Sequence, residues 1–414
     1  MVFPVVGGNE SKGYEISNSL RFNDGDSPGL AITPSGAGNR KTWTYSGWVK
    51  RSSVEESNGQ DHLFMVNGGN ADDTWFQLRF EDNDLVASSY NARIVRTDRK
   101  FQDPASWYHI VCAVDTTQGT ASNRVKLYVN GVQETTFSTT SYPSQDSNTG
   151  VNGTYRHFIG AEGGTSGNGS GNFYDGYMTE VHLIDGSALT PTSFGEFNDN
   201  GIWIPKQYTG SYGTNGFFLE FKQTGTSQNS SGIGADTSGN DHHFAPTQLG
   251  SIDITSDTCT NNWCTMSNLY SDKQQGGAIT FSQGLTEITT SYVDADYQRY
   301  PQAMSSIAVT KGKWYFEMKP SSGSDFNIGV FSPEDFASDS TTNPYGGYAA
   351  TGVIYTEIGE VRQNDSTDSG HASYGTSDIV GCALDMDNNA VYFHKNNTYI
   401  NSGNPTFIPT GAKP

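Results

Sequence analysis

Residues 107–131 read WYHIVCAVDTTQGTASNRVKLYVNG, and this stretch decides the fold class. Val125, Leu127 and Val129 share one face of a predicted strand, while the residues between them point the other way. Asn130-Gly131 then supplies the positive φ angles that a tight hairpin turn requires. The stretch therefore predicts two antiparallel strands that place an apolar face on a core.

Short apolar or alternating runs of the same kind recur between residues 16 and 222, and turn-rich segments separate them. Among them are TWTYSGWVK (42–50), HLFMV (62–66), TWFQLRFE (74–81), HFIGAE (157–162) and GYMTEVHLID (176–185). Many short, evenly spaced strands are typical of a β-sandwich or barrel. We therefore predict one all-β domain over residues 16–222.

Strand patterns resume near the end of the chain. In GKWYFEMKP (312–320), Trp314, Phe316 and Met318 share one face. Residues 378–399, DIVGCALDMDNNAVYFHKNNTY, repeat the layout of the opening stretch, including a cysteine at the matching strand position. We predict a second sandwich over residues 277–414. Residues 223–276 are rich in Gly, Ser, Asn and Thr, so they are predicted to form an extended connector on the surface.

Composition narrows the possible partners. The 414 residues include 44 acidic and 24 basic side chains, giving a formal net charge of −20. Such a field repels nucleic-acid phosphates and anionic lipid surfaces, so we expect no nucleic-acid partner. No apolar stretch approaches the roughly 20 residues of a membrane helix, so we expect no membrane insertion. Aromatic residues make up 12% of the chain, which favours a folded protein.

Cysteine and histidine offer weak metal patterns. Cys259 and Cys264 lie five apart in CTNNWC, without a second pair at zinc-site spacing, and a local disulfide remains an alternative to free thiols. His242 and His243 are adjacent, and adjacent residues of a strand point in opposite directions. A solvated loop pair is therefore favoured over a metal site.

Calcium is the one cofactor that the sequence leaves open; otherwise we expect none. NDGDSPG (23–29) and GNADD (69–73) place clusters of oxygen ligands on turns. The alternative, which we favour, is that these Asp and Asn side chains cap their own backbone turns.

Paired carboxylates are the main catalytic pattern to test. A retaining glycosidase needs two carboxyl groups about 5 Å apart across the bond it cleaves. Glu180 and Asp185 are five positions apart, which places them on opposite faces of a regular strand. No GxSxG motif stands between a strand and a helix. The sequence therefore predicts a protein that is not an enzyme.

Aromatic residues in glycine-rich loops are the candidate ligand-binding residues. They are Phe173 and Tyr174 in SGNGSGNFYDG (166–176), and Tyr345 and Tyr348 in NPYGGYAATG (343–352). Flat rings stack on sugars, and loops on a rigid sandwich concentrate binding residues. Alternatively, these rings cover the open ends of the sandwiches or pack against a neighbouring subunit.

Two resemblances follow from these motifs. The first part of the chain resembles the concanavalin A-like lectin/glucanase group, specifically its laminin-G/pentraxin-like jelly rolls. The segments that carry this resemblance are SLRFNDGDSPGL, TWTYSGWVKRSS, WYHIVCAVDTT, RVKLYVNGV and FYDGYMTEVHLIDGSALTP. The last part of the chain resembles a SPRY domain, which has a related sandwich fold. The matching segments are GKWYFEM, NIGVFS, residues 378–399 and NPTF. The chain ends at FIPTGAKP, before the closing strands of such a domain, so the second sandwich looks incomplete. The resemblances imply two concanavalin A-like jelly-roll sandwiches joined by the connector.

The order of these segments over nearly the whole chain is similar to virion-associated proteins of marine bacteriophages. That resemblance implies a non-enzymatic tail-fibre or appendage adhesin on the virion tail or capsid surface. Residues 1–15 would anchor it to other virion proteins, the loops would bind host-surface glycan or protein, and the chain would form a homotrimer. The alternatives are an architectural protein that decorates the capsid or bridges tail components, and a glycan depolymerase.

Overall fold

The chain divides into two units. In the computed structural model the described residues are 13–54, 59–165, 169, 171–271, 278–291, 302–332, 352–363 and 366–407. The N-terminal unit contains residues 13–262 together with Ser282–Glu287, and the C-terminal unit contains Trp263–Phe281 and Ile288–Pro414. Each unit has its own cluster of buried apolar side chains, so each is described separately.

All regular secondary structure in the described residues is strand or short 3₁₀ turn. The strands of the N-terminal unit are β1 (Ser19–Phe22), β2 (Gly29–Ile32), β3 (Thr42–Arg51), β4 (Gln60–Asn67), β5 (Trp75–Glu81), β6 (Asp84–Ser88), β7 (Arg93–Lys100), β8 (Trp107–Asp115), β9 (Val125–Val129), β10 (Val132–Gln133), β11 (Phe137–Thr140), β12 (Arg156–Ile159), β13 (Gly176–Asp185), β14 (Gly195–Phe197), β15 (Trp203–Pro205), β16 (Phe217–Leu219), β17 (Ala245–Thr247) and β18 (Ile254–Thr255). Further along the chain are β19 (Met266–Ser271), β20 (Ala278–Ser282), β21 (Glu287–Ser291), β22 (Ala303–Ser305), β23 (Lys313–Met318), β24 (Asn327–Val330), β25 (Val353–Thr356), β26 (Glu360–Gln363), β27 (Ser366–Ser369), β28 (Val380–Asp385), β29 (Ala390–Lys395), β30 (Thr398–Tyr399) and β31 (Thr406–Phe407). The 3₁₀ turns are Asp24–Asp26, Ala121–Asn123, Pro191–Ser193, Ser251–Asp253 and Asn401–Gly403.

Two eight-stranded antiparallel sheets form the N-terminal unit. Sheet A has the order β10-β9-β8-β3-β13-β1-β18, with β16 also paired to β13. Sheet B has the order β11-β7-β6-β5-β4-β12-β2-β17. Both sheets contribute to one buried core, which includes Trp43, Tyr45 and Leu127 from sheet A and Phe76 and Leu78 from sheet B. The unit is therefore a β-sandwich, and the predicted all-β fold class is confirmed.

The predicted hairpin around residue 130 is confirmed. Val129 pairs with Val132, and the two turn residues Asn130 and Gly131 have φ angles of 48° and 81°. Both angles are positive, as the tightest hairpin turn requires. The apolar residues of β9 belong to the sandwich core.

Residues 223–262 differ from the predicted surface connector. β17 pairs with β2 at the edge of sheet B, and β18 pairs with β1 at the edge of sheet A. Ile233 and Phe244 are fully buried in the sandwich core. The segment therefore completes the first sandwich, because its short strands find partners near the start of the chain rather than in sequence neighbours.

The C-terminal unit is built on two further antiparallel sheets. Sheet C has the order β23-β28-β29-β30 with β31 also paired to β29, and sheet D has the order β24-β25-β26-β27. Trp314 and Cys382 of sheet C share a core with Val353 and Tyr355 of sheet D. The layout predicted for 378–399 is confirmed, because β28 and β29 pair along their whole length.

Two further observations concern the whole described chain. None of the four cysteines is in a disulfide, so the alternative of a bond between Cys259 and Cys264 is not realised in the structure. The described residues contain no helix with the length and apolar character needed to cross a membrane.

Candidate functional site

The side of sheet B that faces away from the core carries a connected row of polar side chains. The inward residues of β5 are Phe76, Leu78 and Phe80, and the outward residues are Trp75, Gln77, Arg79 and Glu81. We call these four outward residues, with the residues opposite them on β4, β6 and β7, the outer face. Met65 and Ser88 flank Gln77, and Asp84 lies opposite Glu81.

Arg79 organises the centre of the outer face. One guanidinium nitrogen donates to Gln77 Oε1 and to Ser88 Oγ, each at 2.6 Å. Arg79 Nε donates to Glu81 Oε2 at 3.1 Å. The side chain is only 5% exposed, and a buried charge of this kind needs such complete pairing. The result is a row of polar groups held in one orientation before any ligand arrives.

Glu81 is held as a carboxylate. It accepts hydrogen bonds from Arg93 Nε at 3.0 Å and from Arg96 at 3.2 Å. Burial alone would raise the pKa of Glu81, but hydrogen bonds and charges from Arg93 and Arg79 outweigh it and lower the pKa. A glycosidase needs one carboxyl group that stays protonated to act as the acid. The lowered pKa makes Glu81 poorly suited to act as that acid.

An aromatic pair lies at one end of the outer face. The rings of Trp75 and Tyr90 are 5.5 Å apart between centroids and nearly perpendicular, at 70°. Trp75 packs against the outward residues Met65 and Phe158, which fixes its orientation. Tyr90 is 43% exposed. Flat rings therefore stand beside the fixed polar row.

Two described residues of a glycine-rich segment, Gly163 and Asn172, contact β4 on this face. Gly163 donates its backbone N–H to Met65 Sδ, and its carbonyl accepts from Asn67 Nδ2 at 2.8 Å. His62 Nδ1 lies 3.2 Å from the carbonyl oxygen of Asn172. Burial, followed by the charge of Arg79, lowers the pKa of His62 to about 3, so the ring is neutral.

The predicted ligand-binding residues have different outcomes. Tyr174 is fully buried, and its hydroxyl donates to the backbone oxygen of Lys50 at 2.8 Å, so the expectation of an exposed ring is wrong. The glycines before it indicated an open loop, whereas the ring fills the core beside Phe22. Phe173 is partly buried, and its role in ligand binding stays a prediction. Tyr345 and Tyr348 lie outside the described residues.

The polar and aromatic residues of the outer face were not predicted from the sequence to form a site. Trp75, Gln77, Arg79 and Glu81 all lie in the predicted strand TWFQLRFE. Strict alternation along that strand would have separated them from the core residues. Tyr90 has no comparable pattern, because it belongs to the loop after β6.

The carboxylates tested for catalysis are structural. The register of β13 against β3 shifts between Thr179 and His182, and Glu180 has a φ of 50° at this bulge. The regular-strand geometry assumed for Glu180 and Asp185 therefore does not hold. Asp185 accepts hydrogen bonds from the backbone N–H groups of Asn39 at 2.7 Å and Asn215 at 2.9 Å. Both carboxylate oxygens of Asp185 are therefore engaged by backbone donors.

The possible cation sites are likewise used by protein donors. Asp26 accepts from Asn23 Nδ2 at 2.7 Å, and Asp72 accepts from the backbone N–H of Asn91 at 2.8 Å. His243 Nδ1 accepts from the backbone N–H of Asp236 at 3.0 Å. Within the described ranges, no three His, Cys, Asp or Glu side chains are grouped as metal ligands.

A buried Ser–His pair on sheet A has the wrong proton arrangement for catalysis. Trp203 Nε1 donates to His109 Nδ1 at 3.0 Å, and His109 Nε2 lies 2.9 Å from Ser46 Oγ. Burial, and then the charge of His182, lowers the pKa of His109 to about 3. Indole nitrogen only donates, so the neutral ring carries its proton on Nε2 and donates to Ser46. His109 therefore cannot remove a proton from Ser46.

The C-terminal unit carries a second exposed aromatic group. Tyr315 and His394 stack with centroids 5.6 Å apart, and Tyr399 packs edge-on against His394. Tyr399 is 48% exposed beside an open groove of about 580 Å³. Polar partners surround this group as well: the Tyr315 hydroxyl donates to Glu317, and Lys395 pairs with Asp378 at 3.1 Å.

Comparison with known proteins assigns the first sandwich to a fold family. The family model described as the concanavalin A-like lectin/glucanases superfamily matches residues 24–193. This match and the observed sheets identify a concanavalin A-like jelly-roll domain. No protein of curated function matches the chain.

Several solved structures are similar to the chain. A putative carbohydrate binding protein from Bacteroides ovatus has 14% identity over 60% of this chain and 62% of its own, with a TM-score of 0.39. A heptameric SAP-like pentraxin from Limulus polyphemus has 15% identity over 43% and 80%, with a TM-score of 0.32. Domain 4 of a GH43 extracellular arabinanase from Geobacillus stearothermophilus, in complex with arabinotriose, has 22% identity over 37% and 65%, with a TM-score of 0.25. The chain covers less than two thirds of the Bacteroides and Geobacillus chains. At these TM-scores the likenesses carry no functional argument.

Proposed function

We propose that this protein binds glycans through the outer face of sheet B and does not cleave them. The observation that carries the proposal is the juxtaposition of the exposed Tyr90 ring and the partly buried Trp75 ring with the fixed row of Gln77, Arg79 and Glu81. The concanavalin A-like fold over residues 24–193 supports the same class of function.

Each part of the outer face contributes one kind of contact to a sugar. The apolar faces of pyranose rings stack on tryptophan and tyrosine, which bury area with little loss of conformational entropy. Hydroxyl groups of the sugar exchange hydrogen bonds with Arg93, whose side chain is 48% exposed, while the buried Arg79–Glu81 pair holds Arg93 in place. Because salt bridges already orient these side chains, binding does not have to order them.

The setting that fits this activity is a virion appendage. We propose that the chain is a bacteriophage tail-fibre or capsid-surface adhesin, that it forms a homotrimer, and that its target is a host-surface glycan. The support is the segment order described above, together with the SPRY-like pattern of the C-terminal unit. An architectural role without any receptor is the competing proposal.

The binding test uses the full chain on an array of bacterial surface glycans. Trp75→Ala and Tyr90→Ala are expected to weaken binding by roughly tenfold or more each, as buried aromatic anchors do. Phe197→Ala is the matched control, because Phe197 is 54% exposed and lies on a different part of the unit. No binding to any glycan by the wild-type chain would overturn the proposal. Binding lost only in Tyr399→Ala would move the site to the C-terminal unit.

The setting is tested separately. Antibody labelling of intact phage particles is expected to mark the tail or capsid surface, and the purified chain is expected to sediment as a trimer. Labelling together with an absence of host-cell binding would favour the architectural role.

A further inference from the structure

Lys50 occupies an unusual position for a lysine. It lies near the end of β3, directly opposite Trp107 on β8 and Tyr177 on β13. The residue has no exposed surface, and its ammonium nitrogen lies 5.8 Å from the centroid of the Tyr177 ring. Aromatic side chains therefore exclude water from the amine.

Two polar side chains from the end of the N-terminal unit meet this amine. Lys50 Nζ is 2.9 Å from Asp257 Oδ2 and 2.9 Å from Asn262 Oδ1. Trp107 Nε1 donates to the other carboxylate oxygen of Asp257 at 3.1 Å. Asn262 Nδ2 donates to the backbone oxygen of Ala105 at 2.8 Å. The amine, the carboxylate and the amide are thus each held in place by independent contacts.

From this juxtaposition we propose that Lys50 and Asn262 form an intramolecular isopeptide bond, with Asp257 as the catalytic proton acceptor. A buried ammonium–carboxylate pair is costly to desolvate, and transfer of one proton makes both groups neutral. The neutral amine is a nucleophile, and the side-chain amide carbon of Asn262 is the electrophile it can reach. Held reactants of this kind gain the advantage of an intramolecular reaction.

The reaction balances without any external reagent. Asp257 takes one proton from the Lys50 ammonium, and the amine attacks Cγ of Asn262. The new N–C bond forms a tetrahedral intermediate, to which Asp257 returns the proton at the departing nitrogen. The C–N bond of the original amide breaks and ammonia leaves. The attacking nitrogen gives up its second proton to Asp257, which passes it to the ammonia, so that ammonium departs and a neutral secondary amide joins the two side chains. Nothing is oxidised or reduced.

The bond would join residues 212 positions apart, from the centre of sheet A to Asn262, where the main segment of the N-terminal unit ends. It would fasten the β18 region covalently onto β3. Closing so long a loop restricts the unfolded chain strongly, which stabilises the folded state.

The test is the intact mass of the full-length protein. The proposal expects a mass lower than that of the sequence by one ammonia. Tryptic digestion is expected to join peptide 42–51 to peptide 223–273, because trypsin cannot cleave after an acylated Lys50. A wild-type mass equal to that of the sequence would overturn the proposal. A mass lower by one water would assign the bond to Asp257 instead and would also overturn it.

Variants of Asn262 and Asp257 test the role of each residue in forming the bond. Asn262→Ala keeps the Lys50–Asp257 ion pair and is expected to show the full sequence mass, as is Asp257→Asn. Asn261→Ala is the matched control, because the side chain of Asn261 donates to Ser256 O and does not contact Lys50. This control is expected to keep the loss of ammonia. Loss of ammonia in Asn262→Ala would contradict the assignment.

Discussion

At the residue scale, Asp185 shows how a single carboxylate holds distant loops. It accepts from the backbone of Asn39, from Asn152 Nδ2 at 3.0 Å, and from the backbone of Asn215. Its donors lie 146, 33 and 30 positions away in sequence. Local sequence patterns contain no information about such partners. The sequence therefore suggested testing Asp185 as a catalytic carboxylate, whereas in the structure it holds loops together through hydrogen bonds.

Removal of this carboxylate is expected to be costly. Asp185→Ala leaves three donors without their acceptor, and each unsatisfied buried group costs about 1–3 kcal/mol. We expect the free energy of unfolding of the N-terminal unit to fall by about 3 kcal/mol or more in urea titrations. Asp199→Ala, at an exposed position, is the control and is expected to leave the midpoint unchanged. Equal midpoints for the two variants would show that the Asp185 contacts are dispensable.

Buried neutral histidines predict sensitivity to acid. Burial lowers the pKa of His62 and His109 to about 3 and that of His157 to about 4, from an ordinary value of 6.5. Below pH 6.5 the unfolded chain binds protons that the folded chain does not, so stability falls as pH decreases. Each such ring contributes about 1.4 kcal/mol per pH unit until its folded pKa is reached.

The expected measurement is a melting temperature that falls steadily between pH 6.5 and about pH 4. His157→Gln is expected to flatten this dependence, because glutamine does not titrate. A melting temperature independent of pH over that range would contradict the assignment of neutral buried rings.

At the element scale, whether a strand can be predicted from the sequence depends on how far along the chain its pairing partner lies. The β9–β10 hairpin and the strands β28 and β29 are visible in the sequence because their periodicity and turn residues are local. β17 and β18 contain three and two residues and pair with strands near the start of the chain, so no window of sequence shows them. The outward residues of β5 could be predicted from the alternation of side chains along the strand. Tyr90 could not, because only the tertiary fold brings it next to them.

The hairpin offers a direct test of its turn. Gly131 has a φ of 81°, and a Cβ there would lie 2.3 Å from the Trp203 ring. Gly131→Ala is expected to destabilise the N-terminal unit by about 1–3 kcal/mol in denaturant titrations, through backbone strain and the clash. Gly119→Ala is the matched control, because a Cβ there has no neighbour within 4 Å. If both variants unfold at the same denaturant concentration, the turn does not constrain the fold.

At the scale of the whole molecule, two separate cores share one strongly acidic chain. The larger core belongs to the N-terminal unit and the smaller to the C-terminal unit. The net charge of −20 keeps such a chain soluble but repels its own segments, and salt screens that repulsion within about 8 Å at physiological ionic strength. The charge therefore bears on solubility more than on the choice of ligand.

Two cores predict two unfolding events. We expect calorimetry of the full chain to resolve two transitions, because units with separate cores need not unfold together. Asp185→Ala is expected to lower the temperature of one transition and leave the other in place. A single transition that shifts as a whole in this variant would show that the two cores unfold as one cooperative unit.

The pairing of β2 with β17 also determines when the first sandwich can finish folding during translation. The last residue of β2 is Ile32 and the first of β17 is Ala245, so the edge of sheet B stays open until most of the first unit has been translated. At 5–20 residues per second, a ribosome takes roughly 10 to 40 s to cover that distance. During that interval the nascent chain carries an unpaired edge, and on polysomes neighbouring nascent chains lie close together. The first sandwich is therefore expected to depend on chaperone protection during translation, and to close only after residue 255 has left the exit tunnel.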